Sequence, residues 1–182
     1  MIDDEDPRSV AGAALVTLRR RVDDHFVAAV QRSPDAFTCR VGCSSCCHVQ
    51  FGVLGVEADR LRIALGALAR HDPVLRGRVR SQALDPSRTA CALLVDERCS
   101  VYDERPIICR SHGLPIRIKH DDGTMSTETC QLNFVGAAAP EASTLLLDAV
   151  NAPLSVIARM WTPDAGRVPL ALLAAESASE QA

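Results

Sequence analysis

The sequence predicts a mainly α protein, a small cysteine-rich helical domain with one short β-hairpin. Three observations carry this expectation. The 182 residues are 47% hydrophobic but only 3% aromatic. The core must then be built from Leu, Val, Ile and Ala, and Ala favours helix because it loses no side-chain entropy there. Apolar residues recur at helical spacing over several stretches, whereas alternation flanks a single Asp-Gly turn. The length suits one domain, 1–182, with a sizeable core.

Taken in order, residues 1–8 and 176–182 are expected to be loose tails. From 9 to 32 the pattern is helical. Val10, Ala14, Val16, Leu18, Val22, Phe26, Ala29 and Val30 form the apolar face, with Arg19, Arg20, Asp23 and Asp24 opposite. His25 reads as a solvated residue of that helix. Ser33-Pro34-Asp35 ends it. A loop or tight turn follows, then a weakly alternating segment at 48–53. A second helix is predicted over 56–70, with Leu61, Ile63, Leu65 and Leu68 as its apolar residues. Asp72-Pro73 reads as an N-cap and first helical residue, opening a third helix to about Ala83. Arg70, Arg76, Arg78 and Arg80 make this region basic, which reads as a solvated helix face, with a patch for an anionic ligand as the alternative. Asp85-Pro86-Ser87 breaks the chain. Residues 114–119, Asp121-Asp122-Gly123 and 124–127 predict the hairpin. Pro140 is expected to open the last long helix, with Leu145, Leu146, Val150, Leu154, Ile157 and Trp161 facing the core; 168–175 predicts a short final helix.

Chemistry concentrates in eight cysteines. Cys39, Cys43, Cys46 and Cys47 fall within nine residues; Cys91, Cys99, Cys109 and Cys130 follow. Short spacings let neighbouring sulfurs converge, and thiolates are soft ligands suited to zinc and to iron–sulfur clusters. All eight are therefore candidate metal ligands, in a core spanning 39–134 around a polythiolate metal site. Cys46 and Cys47 are adjacent, so their side chains diverge, and they serve two centres or one of them acts as a support. Spacing does not select between two four-coordinate sites, a multinuclear site, or one cluster with spare thiols. Arg40, Arg98, Arg105 and Arg110 lie beside the cysteines. They are candidates to lower thiol pKa values, or to pair with Asp96, Asp103 or Glu104. His48 and His112 adjoin cysteines but read as bystanders rather than ligands, and His71 and His120 as surface residues. A short turn through Tyr102 to Pro106 reads as scaffold, with Tyr102 and Arg105 bonding nearby backbone.

These motifs resemble the CxxCxxCC, or YkgJ-type, family of zinc- or iron-chelating proteins. Cys39, Cys43, Cys46 and Cys47 match its first motif with a three-residue first gap. The second, C-x-x-Y-x-x-R-P-x-x-C-R, is matched from Cys99 through Tyr102, Arg105-Pro106 and Cys109-Arg110. Cys91 and Cys130, the latter in Cys130-Gln131-Leu132-Asn133-Phe134, complete the family's set of eight. The resemblance implies zinc or iron as cofactor, the iron alone or in an iron–sulfur cluster. It implies no established reaction.

Other classes fare less well. A formal charge of −3 gives no drive toward nucleic acid or an anionic membrane. The acidic N-terminus lacks a secretory pattern and no apolar run spans a bilayer. A cytoplasmic location is expected, where thiols stay reduced; no protein partner is specified. Cys39-x3-Cys43-x2-Cys46 also matches the radical SAM spacing, and Cys43-x2-Cys46 a thioredoxin-like pair, but neither has the βα units those folds need. An iron–sulfur redox or sensing role, or service to a modification enzyme, stays as the alternative; a related cysteine signature occurs in flagellin lysine methylases. No paired carboxylates, phosphate loop or nucleophile–base pair marks a catalytic site.

Overall fold

The fold was obtained as a computed structural model, which describes residues 6–40, 42–164 and 166–177. The expectations for 1–5 and 178–182 lie outside these residues. The chain runs α1 (Pro7–Arg32), β1 (Gly52–Val53), α2 (Gly55–His71), α3 (Pro73–Ala83), β2 (Leu94–Val95), β3 (Arg98–Cys99) and α4 (Ile107–Ser111). It continues through β4 (Ile116–Lys119), β5 (Met125–Glu128), β6 (Leu145–Leu146), α5 (Leu147–Trp161), β7 (Val168–Pro169) and α6 (Leu170–Ala175). Single 3-10 turns occur at Pro34–Ala36, Ser45–Cys47, Tyr102–Glu104 and Glu141–Ser143. The mainly α expectation holds. The described residues gather into two compact units, each made of two separate stretches: residues to Arg40 with Ile107–Trp161, and residues 42–106 with Thr162 onward. No helix of the described residues is long and apolar enough to cross a membrane.

The first unit centres on α1. Asp6 accepts from the backbone N–H groups of Arg8 and Ser9, and Pro7 occupies the first turn, where a missing N–H costs nothing. Asp6 to Arg8 are thus held, not loose. The buried stripe falls on Ala11, Leu15, Leu18, Val22 and Ala29. Val16 is instead exposed, and Arg19, expected on the polar face, is buried beside the stripe. The helix packs on α5 and α4. His25 is half-buried, its Nε2 within 3.2 Å of the Ser143 carbonyl, and so is not the solvated residue the sequence predicts.

The Asp-Gly hairpin forms as expected. Strands β4 and β5 pair antiparallel with Ile116 opposite Glu128, and Gly123 takes a φ of 84° in the turn. The last long helix differs. Pro140 leads into a 3-10 turn, and Leu145 and Leu146 pair in parallel with Ile116 and Arg117 before α5 begins at Leu147. Leu146 is consequently exposed, while Val150, Leu154 and Ile157 are buried as predicted.

The second unit packs α2, α3 and α6 on one another. Their core joins Val53, Leu61, Leu65, Val79, Leu170 and Leu173 with Ala92, Leu93, Val95 and Val101. Ile63, on the opposite face of α2, is exposed. Asp72 caps α3 by accepting from the Leu75 N–H at 2.9 Å. The basic face of α3 is not simply solvated. Arg76 is buried and donates to the carbonyls of Ala174 at 2.8 Å and Glu176 at 2.5 Å. Arg80 donates to that of Ala175 at 3.0 Å. These guanidiniums satisfy carbonyls that the end of α6 leaves without helical partners. Arg62 grips the Glu176 carboxylate from α2, so that residue too is held.

Candidate metal centre

In the second unit, backbone bonds join the cysteine segments. Within the turn at Ser45–Cys47, the Cys47 N–H donates to the Ser44 carbonyl at 2.7 Å. The Cys91 N–H then donates to the Cys47 carbonyl at 2.7 Å. Strands β2 and β3 follow, and their register sets Cys99 opposite Leu94. Their turn puts Asp96 and Glu97 at positive φ, 50° and 58°. Two side chains pin it: Arg78 pairs with Asp96 at 2.7 Å, and the Ser44 hydroxyl donates to the Glu97 carboxylate. The second contact ties the hairpin to the first cysteine segment.

Four sulfurs of this unit act on one another. Cys46 hydrogen-bonds Cys47; that bond, then burial, then repulsion from Cys47 hold its thiol far above the ordinary value. Burial pushes Cys91 and Cys99 up, and each also senses charge on Cys46 or on the other. Opposing groups favour the thiolate. The backbone N–H groups of Leu93 and Leu94 pull Cys91 down, and that of Val101 pulls Cys99 down. Arg105 lowers Cys46 and Cys99, and Arg88 lowers Cys91. The net effect raises all three thiols, and the backbone N–H groups and guanidiniums offset it only in part.

The two arginines are fixed locally. Arg105 donates to the Tyr102 carbonyl at 3.0 Å and lies 3.6 Å over the Tyr102 ring, in keeping with a scaffold role for that turn. Arg88 donates to the carbonyls of Cys91 at 3.2 Å and Leu94 at 2.9 Å, which shapes the turn that aims the Leu93 and Leu94 N–H groups. Its Nε is buried with no hydrogen-bond partner among the described residues. Arg88 carries no signal in the linear motif, although it stands three residues before a cysteine. Of the other candidates, Arg40 and Arg98 are exposed, and Arg110 pairs with Asp23 at 2.5 Å. Cys43 is half-buried in this unit, and His48 is exposed.

The first unit holds Cys39, Cys109 and Cys130. Cys39 is exposed, the other seven cysteines half-buried. Cys109 lies on α4, and the Cys130 carbonyl accepts from the Asn133 N–H at 2.9 Å. The Asn133 side chain donates to the Cys39 sulfur at 3.3 Å. Phe26, Phe37 and Phe134 stack beside this segment, with ring centroids 5.6 and 5.1 Å apart. His112 is exposed. Gly113 has a φ of 101°, and a Cβ there would sit 2.6 Å from the Cys39 sulfur. Gly113→Ala should therefore destabilise the protein by about 1–3 kcal/mol from the backbone alone, and displace Cys39. Urea unfolding checks this, and an unchanged midpoint would contradict it.

Among the described residues, no three His, Cys, Asp or Glu side chains form a cluster able to hold a metal ion. The donor set fits zinc or iron in kind: soft sulfur ligands, N–H donors to sulfur, and two guanidiniums that favour thiolate. Residues 38–131 match the family model CxxCxxCC, described as "Putative zinc- or iron-chelating domain". No curated protein and no solved structure matches the chain.

Proposed function

Because the chain belongs to the CxxCxxCC family of domains, we propose that it chelates zinc or iron through cysteine thiolates. The observation that carries this reading is the joining of two cysteine segments by the Cys91 N–H bond to the Cys47 carbonyl at 2.7 Å, with Cys99 on the hairpin that follows. Within the second unit the proposed ligands are Cys43, Cys46, Cys47, Cys91 and Cys99. Within the first they are Cys39, Cys109 and Cys130. A bound zinc ion would act as a closed structural centre; iron, alone or in a cluster, would add redox capacity. The chain's own part is to release protons from the raised thiols, to set Cys91 and Cys99 on a short hairpin, and to offset sulfur charge with Arg88 and Arg105. Uptake would be coupled to local ordering of the loops that carry the thiols. A reducing compartment such as the cytoplasm suits this chemistry.

The test is the metal content and visible spectrum of protein purified without air. Zinc in a colourless protein, or iron with broad visible absorbance, is the expected outcome. Metal-free protein that takes up neither ion and keeps eight reactive thiols would end the proposal.

A further inference from the structure

We infer that Asn133 is the positioning residue for Cys39, its side-chain amide holding the sulfur ready to ligate metal through an N–H···S hydrogen bond. The inference rests on the reading of Cys39 as a ligand and adds a residue which that reading does not contain. Asn133 is 2% exposed and all its polar capacity is used. Its Nδ2 donates to the Gly113 carbonyl at 2.8 Å and to the Cys39 sulfur at 3.3 Å. Its Oδ1 accepts from the Thr38 N–H at 2.9 Å and from the Thr38 hydroxyl at 3.0 Å. The amide's orientation is thereby fixed. Turned over, it would set its oxygen against the Gly113 carbonyl and its NH2 against the Thr38 N–H. The sulfur therefore meets an N–H donor and not an oxygen.

The position of Asn133 in the fold matters as much. The residue ties together the three segments that carry the cysteines of its unit. It bonds Thr38 and Cys39 directly. It bonds Gly113, four residues after Cys109, and its own N–H bonds the Cys130 carbonyl. The next residue extends the tie, since the Phe134 N–H donates to the Ala36 carbonyl at 2.9 Å. A buried, fully bonded amide spanning three cysteine-bearing segments has the place of an outer-sphere partner in a metal site, where such groups orient ligands and tune their basicity.

Cobalt(II) serves as the probe, titrated into full-length protein without air, with zinc affinity from chelator competition. Asn133→Asp keeps the size and the acceptor for Thr38 but removes the donor to sulfur. It should weaken cobalt and zinc binding by about 10- to 100-fold and alter the sulfur-to-cobalt charge-transfer band. In a Cys39→Ser background the same change should have no further effect on affinity or band. Thr38→Val, which removes only the hydroxyl that orients the amide, should give a smaller change of the same sign and keeps the test valid where Asn133→Asp fails to fold. Equal weakening in both backgrounds with an unchanged band means Asn133 is only structural, and overturns the inference. A Cys39→Ser protein that binds cobalt as the wild type does would also overturn it. Wild-type protein that takes up neither ion sinks the chelation reading itself, and the inference with it.

Discussion

A protein carrying Cys91→Ser and Cys99→Ser together is expected to lose metal affinity by more than about 100-fold. Removing a single outer-sphere partner typically costs 10- to 100-fold, and here two ligands go. Serine keeps the volume, but its hydroxyl is not a soft donor and does not ionise in the range of a thiol. Cys46 and Cys47 would remain, their side chains hydrogen-bonded to each other rather than diverging as their adjacency predicts. Chelator competition measures the affinity, and metal per chain the stoichiometry. Circular dichroism of the apo proteins separates ligand loss from misfolding, a needed control because both cysteines pack against the core of α2, α3 and α6. A double variant that keeps wild-type affinity would show that these sulfurs are bystanders.

What the sequence makes legible is what is local. Asp72-Pro73 announces α3 because a cap and a fixed φ act within one turn. Asp122-Gly123 announces the hairpin because only a left-handed turn closes it, and glycine takes that conformation freely. The Asp96-Glu97 turn goes unread, since neither residue signals positive φ; distant partners, Arg78 and Ser44, hold it. The start of α5 is misplaced for the same reason. Leu145 and Leu146 are apolar at helical spacing, but a parallel pairing with Ile116 and Arg117 draws them into strand. The cysteines stand out by spacing alone, whereas their supports do not. Gly113 and Asn133 act across 74 and 94 residues on Cys39, and only the fold brings them there, while Arg88 is near Cys91 in sequence but belongs to no motif. Arg76 likewise looks solvated until α6 supplies carbonyls that need a donor.

Leu65→Ala is the second large effect, and it joins the core to the metal. Leu65 is 0% exposed in a core that also holds Ala92 and Leu93, the residues directly after Cys91. Truncation should destabilise the apo protein by about 2–5 kcal/mol, from lost transfer energy and the cavity left behind. Domains have only about 5–15 kcal/mol to lose, so apo Leu65→Ala would be marginal. Metal binds the folded state, and free metal at about 1,000 times Kd adds about 4 kcal/mol by mass action. Urea unfolding of wild type and variant, each with and without zinc, gives four midpoints. The expected pattern is a large gap between variant and wild type in both conditions, with both midpoints raised by zinc. The zinc increment should be smaller in the variant if the cavity loosens the Cys91 turn, because part of the binding energy then goes into reordering that turn. Zinc that moves neither midpoint would mean that the thiolates and this core are not linked, and that metal binding is no part of how the second unit is held together.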